Sequence, residues 1–474
     1  MQSRSAAPGP WAPSAAHAVR FVLGPSALFS AVGLLRAPDR TVATPREYWR
    51  DMVVDVIIPA SGDQATVVHC LAALHAQTLK PRQVMLVDDG GRERDGTAVL
   101  AREFAIANKM ALTVIERQWS IGRTPSVRRQ AREFDGDVLF VLDADTVLTS
   151  PDYLQRCVEE LCQGAGIASV CGTVLPLRGR DRRATSAMAA FRRWVGTDDY
   201  RDPLAGDGAW SGLEQRLADH YRECTALVQQ RFVQRGQMRA IGGISHPPGS
   251  AVAYRRRYLK DLFDRFEPLH GDSLTQVEDV FIGFALNNEG YRNVQLADVT
   301  ARAQQRELQH LPAQTARDAM AYLQGCFHFD ALLHTPLRSP KQWWRRVRQG
   351  KSAPDHRRIA EPYRQPFGER LTREQGRPIG WVLVFAALEK LALPAVLLTL
   401  LLFGQLPLLG GLLALELAVW LGLLLLVARE RYLAFALSGL MVAPLRYVAM
   451  AAEVAGVCGF MRERWQTRGQ RRLR

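Results

Sequence analysis

Three observations predict an α/β chain, with a mostly parallel sheet flanked by helices and a transmembrane hairpin near the C-terminus. Short apolar runs alternate with helical patterns between residues 53 and 150. One of those runs, Val138 to Leu142, ends in Asp143-Ala144-Asp145. From Ile379 the composition turns apolar over stretches long enough to cross a bilayer.

The first core strand is Asp55 to Pro59, an apolar run closed by a turn residue. Residues 64–78 follow with a helical spacing of Val67, Val68, Leu71 and Leu74. A second strand, Gln83 to Val87, ends in Asp88-Asp89-Gly90-Gly91. Residues 97–108 read as a helix and Leu112 to Ile115 as a third strand. A basic segment from Gly122-Arg123 to Arg132 precedes the Asp-x-Asp strand. Ligands of open α/β sheets bind beyond the carboxyl ends of the strands. Two carboxylates there suit Mg2+ or Mn2+, which take oxygen ligands and complete their shell with water and phosphate. A surface turn is the competing reading, because Asp is common after strands.

Residues 178–245 are polar, with Trp194, Trp210 and several Arg, and are expected to form helices along an acceptor surface. A Gly/Pro turn, Gly242 to Ser250, then enters a small-residue strand. Val277-Glu278-Asp279 opens an apolar helix that Gly290 closes as C-cap.

Ile379–Phe403 and Leu408–Ala428 are each long enough to span. Arg373 and Arg377 before them and Arg429 and Arg431 after them place both outer ends in the cytoplasm. Glu389 and Lys390 inside the first span are expected near a membrane face or against a partner helix. Residues 432–460 read as an in-plane amphipathic helix, with a pair of short spans as the rival; six Arg follow between 462 and 474. Phe21 to Leu35 is too short to span and reads as an interfacial helix or a buried one. The organisation is thus an N-terminal segment 1–50, a catalytic domain 51–310, interfacial or gating helices 311–378, two spans 379–428, and a helix with basic tail 429–474.

The 474 residues carry a net charge of +14, with 55 Arg against 6 Lys. That balance suits phosphate or anionic lipid, and no nucleic-acid module accompanies it. Seven Cys are scattered without a C-x-x-C, which argues against a disulfide framework and structural zinc.

The order of motifs resembles the membrane-anchored family 2 glycosyltransferases, the inverting group that includes cellulose, chitin and hyaluronan synthases. The matching pieces are Val56 to Pro59, Val87-Asp88-Asp89-Gly90, Gly122 to Ala131, Asp143-Ala144-Asp145, and Glu278-Asp279 before Gly290-Tyr291. The resemblance implies a GT-A fold, Rossmann-like, covering roughly residues 53–310. It implies a nucleotide-diphospho-sugar donor, expected to be a UDP-sugar, and Mg2+ or Mn2+. Asp88 and Asp89, beside the turn after Pro59, would hold base and ribose. Arg123 and Arg128 would lie near the diphosphate. Asp145 would ligate the metal, and Asp143 the metal or the ribose. Asp279 would be the catalytic base, with Glu278 orienting or replacing it. His246 to Ser250 resembles the loop that approaches the donor sugar; Gly249 would admit the backbone, and His246 would touch phosphate or serve structurally.

One departure bears on the product. Processive members carry Q-x-x-R-W after the base, whereas the nearest segment is Gln342-Trp343-Trp344-Arg345-Arg346. Gln342, Arg345 and Arg346 would then hold acceptor and diphosphate, or the segment is an interfacial helix. The expectation is a transferase on a bacterial-type inner membrane, facing the cytoplasm, with a lipid or glycan acceptor and room for an oligomer or an envelope-biosynthesis complex. A processive polysaccharide synthase and a non-catalytic nucleotide-sugar-binding scaffold are the rivals.

Overall fold

The computed structural model describes residues 24–35, 47–90, 95–164, 166–196, 209–270, 277–304, 308–338, 368–428 and 432–472. Helix α1 is Pro25–Leu35. The catalytic region then runs β1 Val54–Ala60, α2 Val67–His75, β2 Gln83–Asp88, α3 Thr97–Asn108, β3 Leu112–Glu116, α4 Arg123–Glu133, β4 Val138–Leu142 and β5 Thr146–Leu148. It continues with α5 Tyr153–Leu161, β6 Ile167–Pro176, α6 Gly179–Ser186, α7 Ala189–Val195, α8 Ala209–Leu227, α9 Arg235–Ile241, β7 Ala251–Arg255, α10 Arg256–His270, α11 Glu278–Glu289 and β8 Arg292–Ala303. A π-helical stretch, Val228–Gln234, joins α8 to α9. The remaining helices are α12 Leu311–His328, α13 Asp330–Leu333, α14 Glu369–Gln375, α15 Ile379–Leu402, α16 Leu406–Val427 and α17 Tyr432–Arg472.

The sheet has the order β3-β2-β1-β4-β7-β6-β8-β5. β1 pairs in parallel with β2 and β4, and β7 lies antiparallel to β4. Apolar side chains alternate across the sheet, as strand geometry requires. Val54, Val56 and Ile58 face α2, α3 and α5, whereas Ile57, Leu139 and Val141 face α4, α10 and α11. All five residues of β4 are buried, which explains its unbroken apolar run. The strand ends that carry Asp88 and Asp143 therefore emerge from a packed core on either side of β1.

The first of the long apolar helices is rooted in that core. Ile379, Val382 and Leu383 of α15 pack with Phe281 and Phe284 of α11 and Tyr322 of α12. A Cβ on Gly380 would fall 2.1 Å from the Leu332 carbonyl oxygen, so α15 lies close against α13. α1 also docks on protein: its Gly33 faces the Gly236 carbonyl of α9, and Ser26 N donates to Glu389 Oε1 at 2.6 Å.

Among the described residues three helices are long and apolar enough to cross a membrane, Ile379–Leu402, Leu406–Val427 and Tyr432–Trp465. The stretch read from sequence as an in-plane helix or a pair of short spans is one continuous helix, 432–472, that passes through Pro444. Its charges find partners. Arg446 Nε donates to Glu416 Oε1 of α16 at 3.0 Å, and Lys390 of α15 pairs with Glu453. Among the described residues, 179–195 and 209–241 are mostly helical, and the longest helix there, α8, packs through Tyr221, Cys224 and Leu227 against Trp420 and Leu424 of α16.

Candidate active site

The cleft forms where β1, β2 and β4 end. Three of the motifs are tied by backbone: Asp143 N donates to Ser250 O at 2.9 Å, Ala144 N to Pro59 O at 3.3 Å, and Asp89 N to Ala60 O at 2.8 Å. Glu278 and Asp279 open α11, where the helix N-terminus favours their charge.

Arg123, the first residue of α4, reaches across this space. Its Nε lies 3.1 Å from Asp143 Oδ1, and its Nη1 lies 3.0 Å from Glu278 Oε1 and 3.1 Å from Asp279 Oδ1. Nη2 donates to Gly249 O at 2.6 Å. One guanidinium thus joins the Asp-x-Asp turn, the acidic pair of α11 and the 246–250 loop. A Cβ on Gly249 would lie 1.8 Å from Asp279 Oδ2, so only glycine lets the loop approach that carboxylate.

The acidic residues press on one another. Burial pushes the Asp143 carboxyl well up; Arg123 opposes this, and Asp145, Asp279 and Glu278 add to it. Glu278 is raised by burial, against the pull of Arg123, and accepts a hydrogen bond from Thr124 Oγ1. Asp88 is raised by burial and accepts from Gly90 N at 3.0 Å. Asp89 differs. Burial would raise it, but hydrogen bonds from Ile121 N, Gly122 N, Ser120 and Arg117 prevail and hold it below the usual carboxylate range. Asp89 therefore staples the loop that delivers Arg123, with Gly122 N donating at 2.7 Å.

Arg128 is placed away from its expected position, and His246 takes the structural alternative. Arg128 sits about 140° round α4 from Arg123, five residues on at 3.6 per turn. It turns to α10, where Nη1 lies 3.2 Å from Glu267, and does not join the cleft group. His246 packs under Gly283, and its Nδ1 lies 3.1 Å from Ser245 Oγ. Burial lowers its pKa to about 4, so at neutral pH it carries no charge to offer a phosphate. Gln342, Arg345 and Arg346 lie outside the described residues.

The sequence reading missed Asp63, in the turn after β1. Ser61 N donates to Asp63 Oδ2 at 2.7 Å. Burial first, then Asp145, Asp95 and Asp88, raise its carboxyl to about 7, and hydrogen bonding from Ser61 opposes them. It links the Asp88 and Asp145 sides of the cleft electrostatically. Its signal was an acid just before a helix, which reads equally as a cap.

These residues fit a hard divalent cation. The donors are carboxylate oxygens, and Asp143 Oδ1 is buried without a hydrogen-bond partner, its contact with Arg123 Nε being an ion pair only. Among the described residues no group of three or more His, Cys, Asp or Glu could hold a metal alone. A cation here would draw its remaining ligands from water and substrate phosphate, the habit of Mg2+.

Carboxylates gathered round one guanidinium at the strand ends of a mostly parallel sheet fit a sugar-transferring enzyme of the GT-A kind. The chain belongs to the glycosyltransferase-like family 2, whose model matches residues 51–321. Among solved structures it is similar to the mannosyltransferase PcManGT from Pyrobaculum calidifontis in complex with GDP-Man and Mn2+. That likeness has 18% identity, covers 94% of this chain and 98% of that one, and has a TM-score of 0.49. Glucosyl-3-phosphoglycerate synthase from Mycobacterium tuberculosis is similar at 16% identity, over 62% and 86% of the two chains, with a TM-score of 0.34. S. aureus TarS in complex with UDP is similar at 15% identity, over 57% and 66%, with a TM-score of 0.33. No curated protein matches the chain.

Proposed function

We propose that this enzyme is an inverting transferase that moves a sugar from a nucleotide-diphospho-sugar, with UDP as the expected nucleotide, to a lipid or membrane-proximal glycan. The observation that carries the reading is the Arg123 bridge, which brings Asp143 and Asp279 to the two sides of one guanidinium. An inverting transfer needs those two functions adjacent. Asp279 takes the proton from the acceptor hydroxyl as its oxygen attacks the anomeric carbon. The bond to the diphosphate oxygen breaks, and the nucleoside diphosphate leaves with the electron pair. Arg123 neutralises charge beside the leaving group, and Asp88 with Asp63 faces the nucleoside side. A divalent cation held by Asp143 and Asp145 would stabilise the negative charge that develops on the diphosphate. The apolar helices α15 to α17 support a membrane location, and the Arg flanking the hairpin support a cytoplasmic face and a bacterial-type inner membrane.

Purified full-length protein incubated with a panel of nucleotide-sugars should release UDP or GDP only with Mg2+ or Mn2+. Asp145→Ala and Asp279→Asn should each lower turnover by at least about a hundredfold, the usual scale for a removed general base or charge stabiliser. Wild-type rates in both variants would overturn the assignment.

A further inference from the structure

Where α17 runs past α12, it leaves a hollow of about 570 Å3 lined by Phe327, Phe460, Met461, Arg462, Arg464 and Trp465. Its apolar walls are not covered: Phe327 is 46% exposed, Met461 57% and Trp465 80%. Its cations are close by. The Arg464 guanidinium sits 3.3 Å over the Phe327 ring, and Arg462 is exposed. The neighbouring Glu463 carboxylate accepts from Gln324 Nε2 of α12 at 3.1 Å, which ties α17 to α12 at this point.

We propose that this hollow is a binding site for an anionic phospholipid, phosphate against Arg462 and Arg464 and acyl chain along Phe460, Met461 and Trp465. Three features select that occupant. The hollow lies where the apolar stretch Tyr432–Trp465 ends, so it is continuous with the part of the helix suited to a bilayer. Trp and Arg at such an end match the headgroup layer, where one side of a side chain meets hydrocarbon and the other meets charge. An arginine fork binds phosphate through paired N–H donors, and stacking on Phe327 holds the fork in place. The sequence beyond adds Arg468, Arg471, Arg472 and Arg474, a basic composition that favours an anionic lipid surface. A soluble protein partner would meet the same cations but would have to replace lipid at the apolar wall.

The test uses the full chain in mild detergent, with phosphatidylglycerol and phosphatidylcholine as probes and native mass spectrometry as the readout. Wild type should keep phosphatidylglycerol in at least tenfold preference to phosphatidylcholine. Arg462→Gln/Arg464→Gln should lose that preference, and Trp465→Ser should weaken retention of both lipids. Arg468→Gln/Arg471→Gln, beyond the hollow, should retain the wild-type pattern. Thermal unfolding of each variant within a few degrees of wild type excludes loss by misfolding. Equal loss in the 468/471 variant would reduce the site to a diffuse basic tail and overturn the proposal. So would displacement of the lipid by millimolar inorganic phosphate, which would make it a phosphate site. A wild-type dimer that the 462/464 variant abolishes would assign the hollow to a second copy and also overturn it.

Discussion

Arg123 stands where the acidic cluster most needs positive charge, between Asp143, Glu278 and Asp279. Removing it leaves three carboxylates facing one another with no cation among them. In Arg123→Gln, Mn2+ should therefore bind several-fold more tightly without nucleotide, as read by calorimetry, while turnover falls. Unchanged Mn2+ affinity would show that the guanidinium and the metal do not share the same field. Asp63 gives a pH signature. Its folded carboxyl, raised to about 7, keeps a proton that the unfolded chain releases near about pH 4. The folded state thus binds more protons between those values. Its stability contribution is present below about pH 4 and is lost as pH rises toward 7. Asp63→Asn should raise the melting temperature more at pH 8 than at pH 5, and an equal gain at both would refute this. At this scale the sequence showed where Asp88, Asp143 and Asp279 lie, because strand ends and helix starts are local features. It did not show that Asp89 is consumed by the 120–122 backbone, or that Arg128 turns to Glu267. Those depend on loop closure and helical phase in three dimensions.

Among the elements, the crossing of α1 over α9 is governed by two glycines. A Cβ on Gly33 would fall 2.2 Å from the Gly236 carbonyl oxygen, and one on Gly236 would fall 2.4 Å from the Ser30 carbonyl oxygen. The two backbones touch, and Ser30 Oγ donates to Val233 O at 3.1 Å. Gly236→Leu should force the helices apart at a cost of about 1–3 kcal/mol, the range for overpacking. Limited proteolysis would then cut 24–35 faster than in wild type, with Gly236→Ala intermediate; equal cleavage of all three would count against the crossing. The strands β1, β2 and β4 were readable because each is an apolar run closed by Pro or Asp. The docking of α1 was not, since a short apolar helix with one exposed face looks alike against lipid and against protein. The continuity of α17 was hidden by Pro444 and by charges at 446 and 453 that suggest a surface until Glu416 and Lys390 are seen opposite them.

For the molecule as a whole, the sheet, the cleft and the first apolar helix form one packed unit. The helix that presents Glu278 and Asp279 rests its other side on Ile379, Val382 and Leu383. Family membership and the α/β architecture were legible because motif order survives in one dimension. This shared core was not, because residues a hundred positions apart meet only after folding. A practical consequence concerns excision of the anchor. A fragment cut at residue 378 to obtain a water-soluble enzyme would strip Phe281, Phe284 and Tyr322 of neighbours and open the floor beneath the proposed base. Such a fragment should aggregate or melt far below the intact protein in a thermal-shift assay. The same cut placed after residue 403 should preserve the fold of the catalytic unit in detergent.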